Sequence, residues 1–548
     1  MLFIINLFLV ILSSSFLILS FADFDLGFFA WIGLVPLFIA INGKRLIYGL
    51  LLSLVCGMLF FLGIFYWILV VPKYTLLHHA LLAVYLGSYF GFFGLTLCFI
   101  SRRLGSTPAL FSAPFIWVSL EYIRGNLSFL AHPWGLLAHS QYQYPSVIQI
   151  ASLAGTYGIS FLIVLVNAAI ASLILKNLPS PGGRELRGGE NEPLLVTPTL
   201  TLPCPRGREI FSGKERRALV ALAAGSVVFT LLYGAFTTSR PIAGNRIKIS
   251  LVQGNIEQSK KWDPRFAREI MQTYGQLTEE VSKDHPSLII WPETATPGSI
   301  TQNPWLYMEI RKIVKNTGTA LLFGSAQHQK FREKETQKYK YSNSAYLIDP
   351  DSRSGKNQRY DKIRLFPFGE YLPYKEIIPW SLIKVSGLDS YTPGKEFTVF
   401  EHPNFRFGVT ICWENVFPDL VRQFVKRGAQ CIVNLTNEAR FEKTAAPHQL
   451  VSMSVFRAVE NGIYVVRCAN TGVSCIIDPS GRIVERVKDE RNDDIFVRGT
   501  MTGWIIPLDS KTIYTRYGDW FVWVAFVGSV AFLLIGWCRG RKVGQKQK

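Results

Sequence analysis

A chain of 548 residues has room for several domains, and with 49% hydrophobic, 14% aromatic and only 18% charged residues it is too apolar to lie wholly in water. The formal net charge of +19 would suit a nucleic acid if it formed a basic stripe on a soluble domain; it gathers instead in loops between apolar runs, which removes the reason to expect such a partner. None of the cysteines forms a CxxC pair, so neither a metal nor a redox cofactor is expected.

Apolar runs of about 16 to 29 residues, close to the 20 or so that span a bilayer as helix, lie near 2–22, 27–42, 46–71, 79–100, 109–124, 147–175, 217–236 and 520–537. They predict about eight transmembrane helices. The first lacks a basic leader and is too long for a signal-peptide core, so it is expected to stay as a span. If the N-terminus is cytoplasmic, four basic segments return to that side, as the positive-inside rule demands. These are Lys44 and Arg45, Arg102 and Arg103, the stretch from Lys176 to Arg217, and the tail with Arg539, Arg541, Lys542, Lys546 and Lys548. The opposite side receives Asp23, Asp25 and Lys73 and no basic cluster.

The expected organisation is therefore helices 1 to 6 over 1–176, a disordered cytoplasmic linker over 177–216, helix 7 over 217–240, a catalytic domain over 241–515 outside the cytoplasm, and helix 8 with a basic tail over 516–548. The linker is dense in Pro, Gly and charge and has no hydrophobic period.

From about residue 246 short β runs alternate with helical patterns, which predicts an α/β domain. "IKISLVQGN", "SLIIWPET", "ALLFGSA", "SNSAYLID", "FRFGVTIC", "CIVNLTN" and "IYVVRCAN" read as strands, with a hairpin around "DPSGR". Asp263 and Pro264 start a helix to about 284. "FPDLVRQFVKRG" puts Leu420, Val421, Phe424 and Val425 on one face and stops at Gly428. "PHQLVSMSVFRAVENG" is a further helix. Cys431, Cys468 and Cys475 sit in apolar strand runs and read as small buried hydrophobes, although disulfides form readily outside the cytoplasm.

Three reactive side chains follow apolar strands: Glu293 in "IIWPETATP", Lys362 in "YDKIRLFPFGEYLP" and Cys412 in "TICWENVFPD". Strand ends fix such groups while the adjoining loops admit substrate. A cysteine nucleophile needs a base or a positive charge beside it. A carboxylate can take the thiol proton and an ammonium can hold the oxyanion of a tetrahedral intermediate.

These stretches, together with "VQGNIEQSKKWDP", "LTNEARF" and "HPWGLLAHSQ", resemble the nitrilase superfamily, and the membrane runs around them resemble its apolipoprotein N-acyltransferase family. The resemblance covers nearly the whole chain outside the linker. It implies an αββα sandwich beside a multi-span helical membrane domain, with Glu293 as general base, Lys362 as oxyanion stabiliser and Cys412 as nucleophile. Glu370 and Glu414 match supporting acidic positions, Trp262 an aromatic near the acyl site, and Trp413 the position after the nucleophile. The chain departs from the family pattern at Arg440, where a Trp is usual, at Glu442, where a Gly is usual, and at Leu450, which follows Gln449 where a His is usual.

The implied reaction carries an acyl chain from a phospholipid through a cysteine thioester to the N-terminal amine of a diacylglyceryl-cysteine lipoprotein. It implies a bacterial inner membrane, with the catalytic domain on the periplasmic side. Two alternatives differ in class. One is a membrane-tethered nitrilase-type amidase acting on a small amide; the other is a transporter or lipid-binding scaffold, which the scarcity of intramembrane charge beyond Glu121 and Arg124 disfavours. Residues 371 to 394, apolar but broken by Pro373, Pro379 and Gly387, read as a lid that touches the bilayer.

Overall fold

The computed structural model describes residues 2–177, 213–333, 336–351, 358–374, 377, 391–509 and 511–545. Nearly all of the expected 177–216 linker, and most of the expected lid including Trp380, Leu382 and Ile383, lie outside the described residues.

Among the described residues, five helices are long and apolar enough to cross a bilayer: Leu46–Ile64, Leu76–Leu104, Thr156–Lys176, Gly213–Thr238 and Trp520–Arg539. The other apolar runs form shorter or interrupted helices. Leu2–Leu19 is one helix of 18 residues, whereas the 27–42 run divides into Gly27–Phe29, Ala30–Gly33 and Val35–Ile41, with proline in the first turn of the last. Ser106–Asn126 holds Pro114 inside it.

Two expected spans are shorter than their apolar runs. The 46–71 run leaves the α-helix after Ile64 and continues as a 3-10 turn, Tyr66–Val70, which carries the Trp67 indole to Gln449 at 3.1 Å. The 147–175 run begins as the short turns Pro145–Ile148 and Ala151–Ala154, and the long helix starts only at Thr156. Gly155 makes that break at φ +69. A Cβ there would stand 2.8 Å from the Tyr514 ring, so only glycine fits.

The α/β part contains twelve strands: β1 (Ile247–Gln253), β2 (Leu288–Ile290), β3 (Ala320–Glu333), β4 (Thr336–Ile348), β5 (Gln358–Asp361), β6 (Val399–His402), β7 (Phe405–Ile411), β8 (Cys431–Thr436), β9 (Tyr464–Ala469), β10 (Cys475–Ile477), β11 (Ile483–Arg486) and β12 (Gly499–Ile505). They form two six-stranded sheets, ordered β12-β1-β2-β3-β4-β5 and β11-β10-β9-β8-β7-β6. In each sheet three central strands are parallel, β1, β2 and β3 in one, β7, β8 and β9 in the other.

Period-2 alternation sorts the side chains between layers. Leu288, Ile290 and Leu322 join Val409, Ile411 and Val433 in the core between the sheets. Ile289, Leu321 and Phe323 face the other way and pack with helices Ala267–Ser282 and Pro304–Thr317. On the second sheet the helices are Pro418–Lys426 and Ala446–Asn461. The layers run helix, sheet, sheet, helix.

Strands β5, β6 and β12 and the helix Pro304–Thr317 go beyond the sequence expectations. The helix Pro304–Thr317 carries its apolar positions Leu306, Ile310 and Val314 among many charges. Strand β12 contains Gly499 and Gly503 and depends on antiparallel pairing with β1, from Ile247 opposite Ile505 to Gln253 opposite Gly499.

Helix Ala446–Asn461 is the seam between the two parts, and apart from His448 all its residues are buried. A helix buried on every side must find partners for each polar group it carries. Gln449 accepts hydrogen bonds from the indoles of Trp67 and Trp134, at 3.1 and 2.9 Å, and donates to the carbonyls of Ala22 and Ile64 at 3.2 and 3.0 Å. About three turns later Glu460 accepts from Thr156 and pairs with Arg457 at 2.9 Å. At the opposite end of the helical bundle Ser106 donates to Asn42 at 2.7 Å, which draws the Lys44–Arg45 loop towards the end of helix Leu76–Leu104, whose last turn carries Arg102 and Arg103.

Gln449→Leu would leave two indole N–H groups and two carbonyls unpaired in a dry interface, at about 1–3 kcal/mol for each unsatisfied group. The expected result is a clearly lowered melting temperature in detergent. Unchanged melting of this variant would show that the seam does not depend on these bonds.

Candidate active site

The chain turns sharply at both the candidate base and the candidate nucleophile. After β2, Trp291 is anchored by stacking on Tyr274, 4.9 Å between centroids, and by donating to Thr278 at 2.8 Å. Glu293 follows, and Thr294 sits at φ +46. Gly324 of β3 lies against this turn so closely that a Cβ would be 2.6 to 2.8 Å from the backbone of Pro292, Glu293 and Thr294. Cys412 opens the 3-10 turn Cys412–Val416 after β7, at φ +57. Left-handed backbone at a non-glycine costs of order 1–3 kcal/mol and persists only where the surroundings enforce it.

Lys362 follows β5 and is 1% exposed. Its ammonium is 2.9 Å from Glu370 Oε1 and 4.0 Å from Glu293 Oε1. Asn343 of β4 binds both carboxylates, donating to Glu293 at 2.7 Å and to Glu370 at 3.3 Å. The other Glu293 oxygen accepts the backbone N–H of Asn437 at 2.8 Å. Glu370 also accepts the Phe366 N–H at 2.7 Å. The structure thus brings Glu293, Lys362 and Glu370 into one hydrogen-bonded group, within whose field Cys412 lies.

Burial pushes the Cys412 thiol up to about 12, and the carboxylates of Glu293 and Glu370 add to the shift while Lys362 opposes it. The resting group is therefore the thiol, and for its sulfur to act as a nucleophile a nearby base would have to take the proton. Burial works against the Lys362 charge, the Glu370 and Glu293 carboxylates favour it, and its pKa is held above the usual lysine value. Lys362 stays an ammonium at any working pH and can stabilise an oxyanion without giving up a proton. Cys412 is partly accessible, whereas Cys431, Cys468 and Cys475 are buried free thiols.

Glu414 and Trp413 act at one remove. The Glu414 carboxylate is fully buried and accepts the N–H groups of Ile363, Arg364 and Ile411 and the Tyr360 hydroxyl, all at 2.7 to 3.0 Å. It ties the Lys362 loop to the Cys412 turn. Trp413 donates its indole N–H to the Arg364 carbonyl at 2.7 Å and is wedged between Phe366 and Phe417. Trp262 lies at the end of helix Gln258–Lys261 and is 49% exposed.

Sequence reasoning missed Asn343, Asn437 and Lys261. Lys261 is 3% exposed and donates to the Glu293 carbonyl at 3.0 Å. Burial pushes it down to about 7, against the pull of Glu293. In "SKKWDP" only its place beside Trp262 singles it out, and a buried lysine leaves no signature in a sequence. Arg440 is exposed, Leu450 is buried in the core, and neighbouring Phe441 packs edge-on against Trp67 of the membrane part at 5.0 Å.

A family model described as apolipoprotein N-acyltransferase N-terminal domain matches residues 13–169, and one described as carbon-nitrogen hydrolase matches residues 248–498. A Geobacter metallireducens protein named apolipoprotein N-acyltransferase is 33% identical over 536 residues, covering 96% of this chain and 95% of its own. Proteins of that name from Treponema denticola, numbered 1 there, and from Chlorobaculum tepidum are 27% and 28% identical, covering 95% and 89% of this chain and 94% and 88% of theirs. Among solved structures, an amidase from Nesterenkonia sp. aligns at 19% identity with a TM-score of 0.36, over 52% of this chain and 98% of that one.

The electrostatics of the site give a titration test. Thiolate absorbance of Cys412 should be absent near neutral pH and grow only as pH approaches about 12. Glu293→Gln removes a negative neighbour and should move the titration to lower pH; Lys362→Met should move it higher. A thiolate already formed at neutral pH in the wild type would overturn this picture.

Proposed function

The chain belongs to the apolipoprotein N-acyltransferase family, and from that membership we propose that Cys412 carries the acyl group, Glu293 moves the protons and Lys362 holds the oxyanion. The enzyme N-acylates lipoproteins and is a membrane protein. The observation that carries the residue assignment is the meeting of a protonated, partly accessible thiol with a buried carboxylate and a buried ammonium at three strand ends.

In the first half-reaction Cys412 Sγ attacks the ester carbonyl of a phospholipid while its proton passes to Glu293. The carbonyl oxygen becomes an oxyanion beside Lys362. Collapse breaks the ester C–O bond, and the leaving lysophospholipid alkoxide takes the proton back from Glu293. In the second half-reaction the α-amine of a diacylglyceryl-cysteine attacks the thioester, gives a proton to Glu293, and releases Cys412, which is reprotonated. Glu370 neutralises Lys362 at rest, so the ammonium is oriented before charge develops on the substrate.

The site belongs on the periplasmic side of a bacterial inner membrane in this reading. Its support is the Lys and Arg asymmetry together with the basic loops lying at the end of the bundle opposite the α/β part. The division into 1–176, 217–240, 241–515 and 516–548 belongs to the same reading.

Incubation of the purified enzyme with phospholipid should yield an acyl adduct on Cys412 by mass spectrometry. Cys412→Ala should form none and transfer at below about a thousandth of the wild-type rate; Lys362→Met should lose about 3 kcal/mol or more of transition-state stabilisation. Transfer by Cys412→Ala at a tenth of wild type would remove the nucleophile assignment. Hydrolysis of soluble amides without lipid transfer would point to an amidase.

For the orientation, a reporter active only outside the cytoplasm should work when fused after Asn245 and stay silent when fused within residues 180–210. The reverse pattern would invert the topology.

A further inference from the structure

Behind the reactive groups stands a buried ion pair that touches none of them. Glu438 and Arg467 are both fully buried and bonded carboxylate to guanidinium. Arg467 lies in β9 and donates through Nη1 to Asn434 Oδ1 at 2.8 Å. Asn434, in the adjacent β8, donates through Nδ2 to the carbonyl oxygen of Cys412 at 3.1 Å, and lies 3.1 and 3.2 Å from the Thr410 hydroxyl and carbonyl. On its other side the pair secures the β8 exit: Glu438 accepts from Thr436 at 3.2 Å. It directly follows Asn437, whose backbone N–H holds Glu293 at 2.8 Å. Asn437 is further fixed by Asn470, which donates to it at 3.0 Å.

One ion pair therefore stands behind both halves of the chemistry. Stability alone is a weak reason for it, since a buried ion pair can usually be replaced by apolar residues of similar volume without loss. Cys412, by contrast, is held at φ +57, a backbone state that needs external constraint, and the Asn434 amide on its carbonyl supplies one. A misplacement of the order of 1 Å in such a site costs about 100-fold in rate.

We propose that Glu438 and Arg467 form a positioning pair that sets the nucleophile through Asn434 and the base through Asn437. The proposal rests on the assignment of Cys412 and Glu293 above. It predicts an effect on acylation rate that is separable from folding.

The test uses full-length enzyme in detergent, with melting temperature, phospholipid KM and the rate constant for acyl adduct formation on Cys412 measured for each variant. Glu438→Leu and Arg467→Met alone leave one buried charge unpaired and should melt earlier. The double variant should recover most of the melting temperature, yet acylate about 100-fold more slowly with KM changed less than about 2-fold. A double variant that acylates at the wild-type rate per folded molecule overturns the proposal, because the pair would then be packing only.

Arg467→Lys keeps the charge opposite Glu438 but lacks the fork that serves Glu438 and Asn434 together. Should the double variant fail to fold, Arg467→Lys decides: about 10-fold slower acylation at unchanged KM supports positioning, and a wild-type rate overturns it. Absence of an adduct in the wild type would instead overturn the assignment of Cys412 itself.

Discussion

A helix buried on nearly every side must have its polar groups answered by neighbours, and Ala446–Asn461, buried at every residue but His448, is such a helix. Its Gln449 exchanges four hydrogen bonds with the membrane part, and its Glu460 takes the first N–H of the long helix at Thr156. From its other side Ser454 accepts from Asn415 at 2.6 Å, and Arg457 donates to the Val416 carbonyl at 3.2 Å. Both of those partners belong to the Cys412–Val416 turn. The helical bundle and the Cys412 turn are thus linked through one rigid element, which fits a membrane enzyme.

The site holds its charged groups away from solvent and close together. Glu293 and Glu370 share one ammonium and one asparagine. Burial first, with the Glu293 and Glu370 carboxylates adding to it against Lys362, keeps Cys412 protonated. A free thiolate would be exposed to oxidation and to adventitious electrophiles, and in the reaction proposed above a thiol that loses its proton only during attack avoids both. The Lys362 charge is secured by the same carboxylates, which suits the oxyanion role proposed for it.

The sandwich is what assembles these parts. Glu293 and Lys362 follow β2 and β5 of one sheet and Cys412 follows β7 of the other, so the three meet only because the inner faces of the sheets pack together. Glu414 bridges that meeting, taking N–H groups from the Lys362 loop and from Ile411 at once. The lengths of the central parallel strands and the turns at Thr294 and Cys412 set the geometry together.

Local information was enough for much of this protein. The apolar runs, the alternation of strands and helices after residue 246, and the candidate site residues at strand ends are written in short windows, because period, composition and strand termination are local properties. Glu293, Lys362, Cys412 and Glu370 could be named from their own motifs, and the three apolar cysteines from theirs. Tertiary structure alone decided where helices break, since Gly155 and Trp67 answer to Tyr514 and Gln449, far away in sequence. It alone decided that Asn343, Asn437 and Lys261 touch Glu293, and that Glu438 and Arg467 are buried as a pair. Those residues are polar and ordinary in sequence; burial and partnership, which give them their effect, come from contacts that no local pattern encodes.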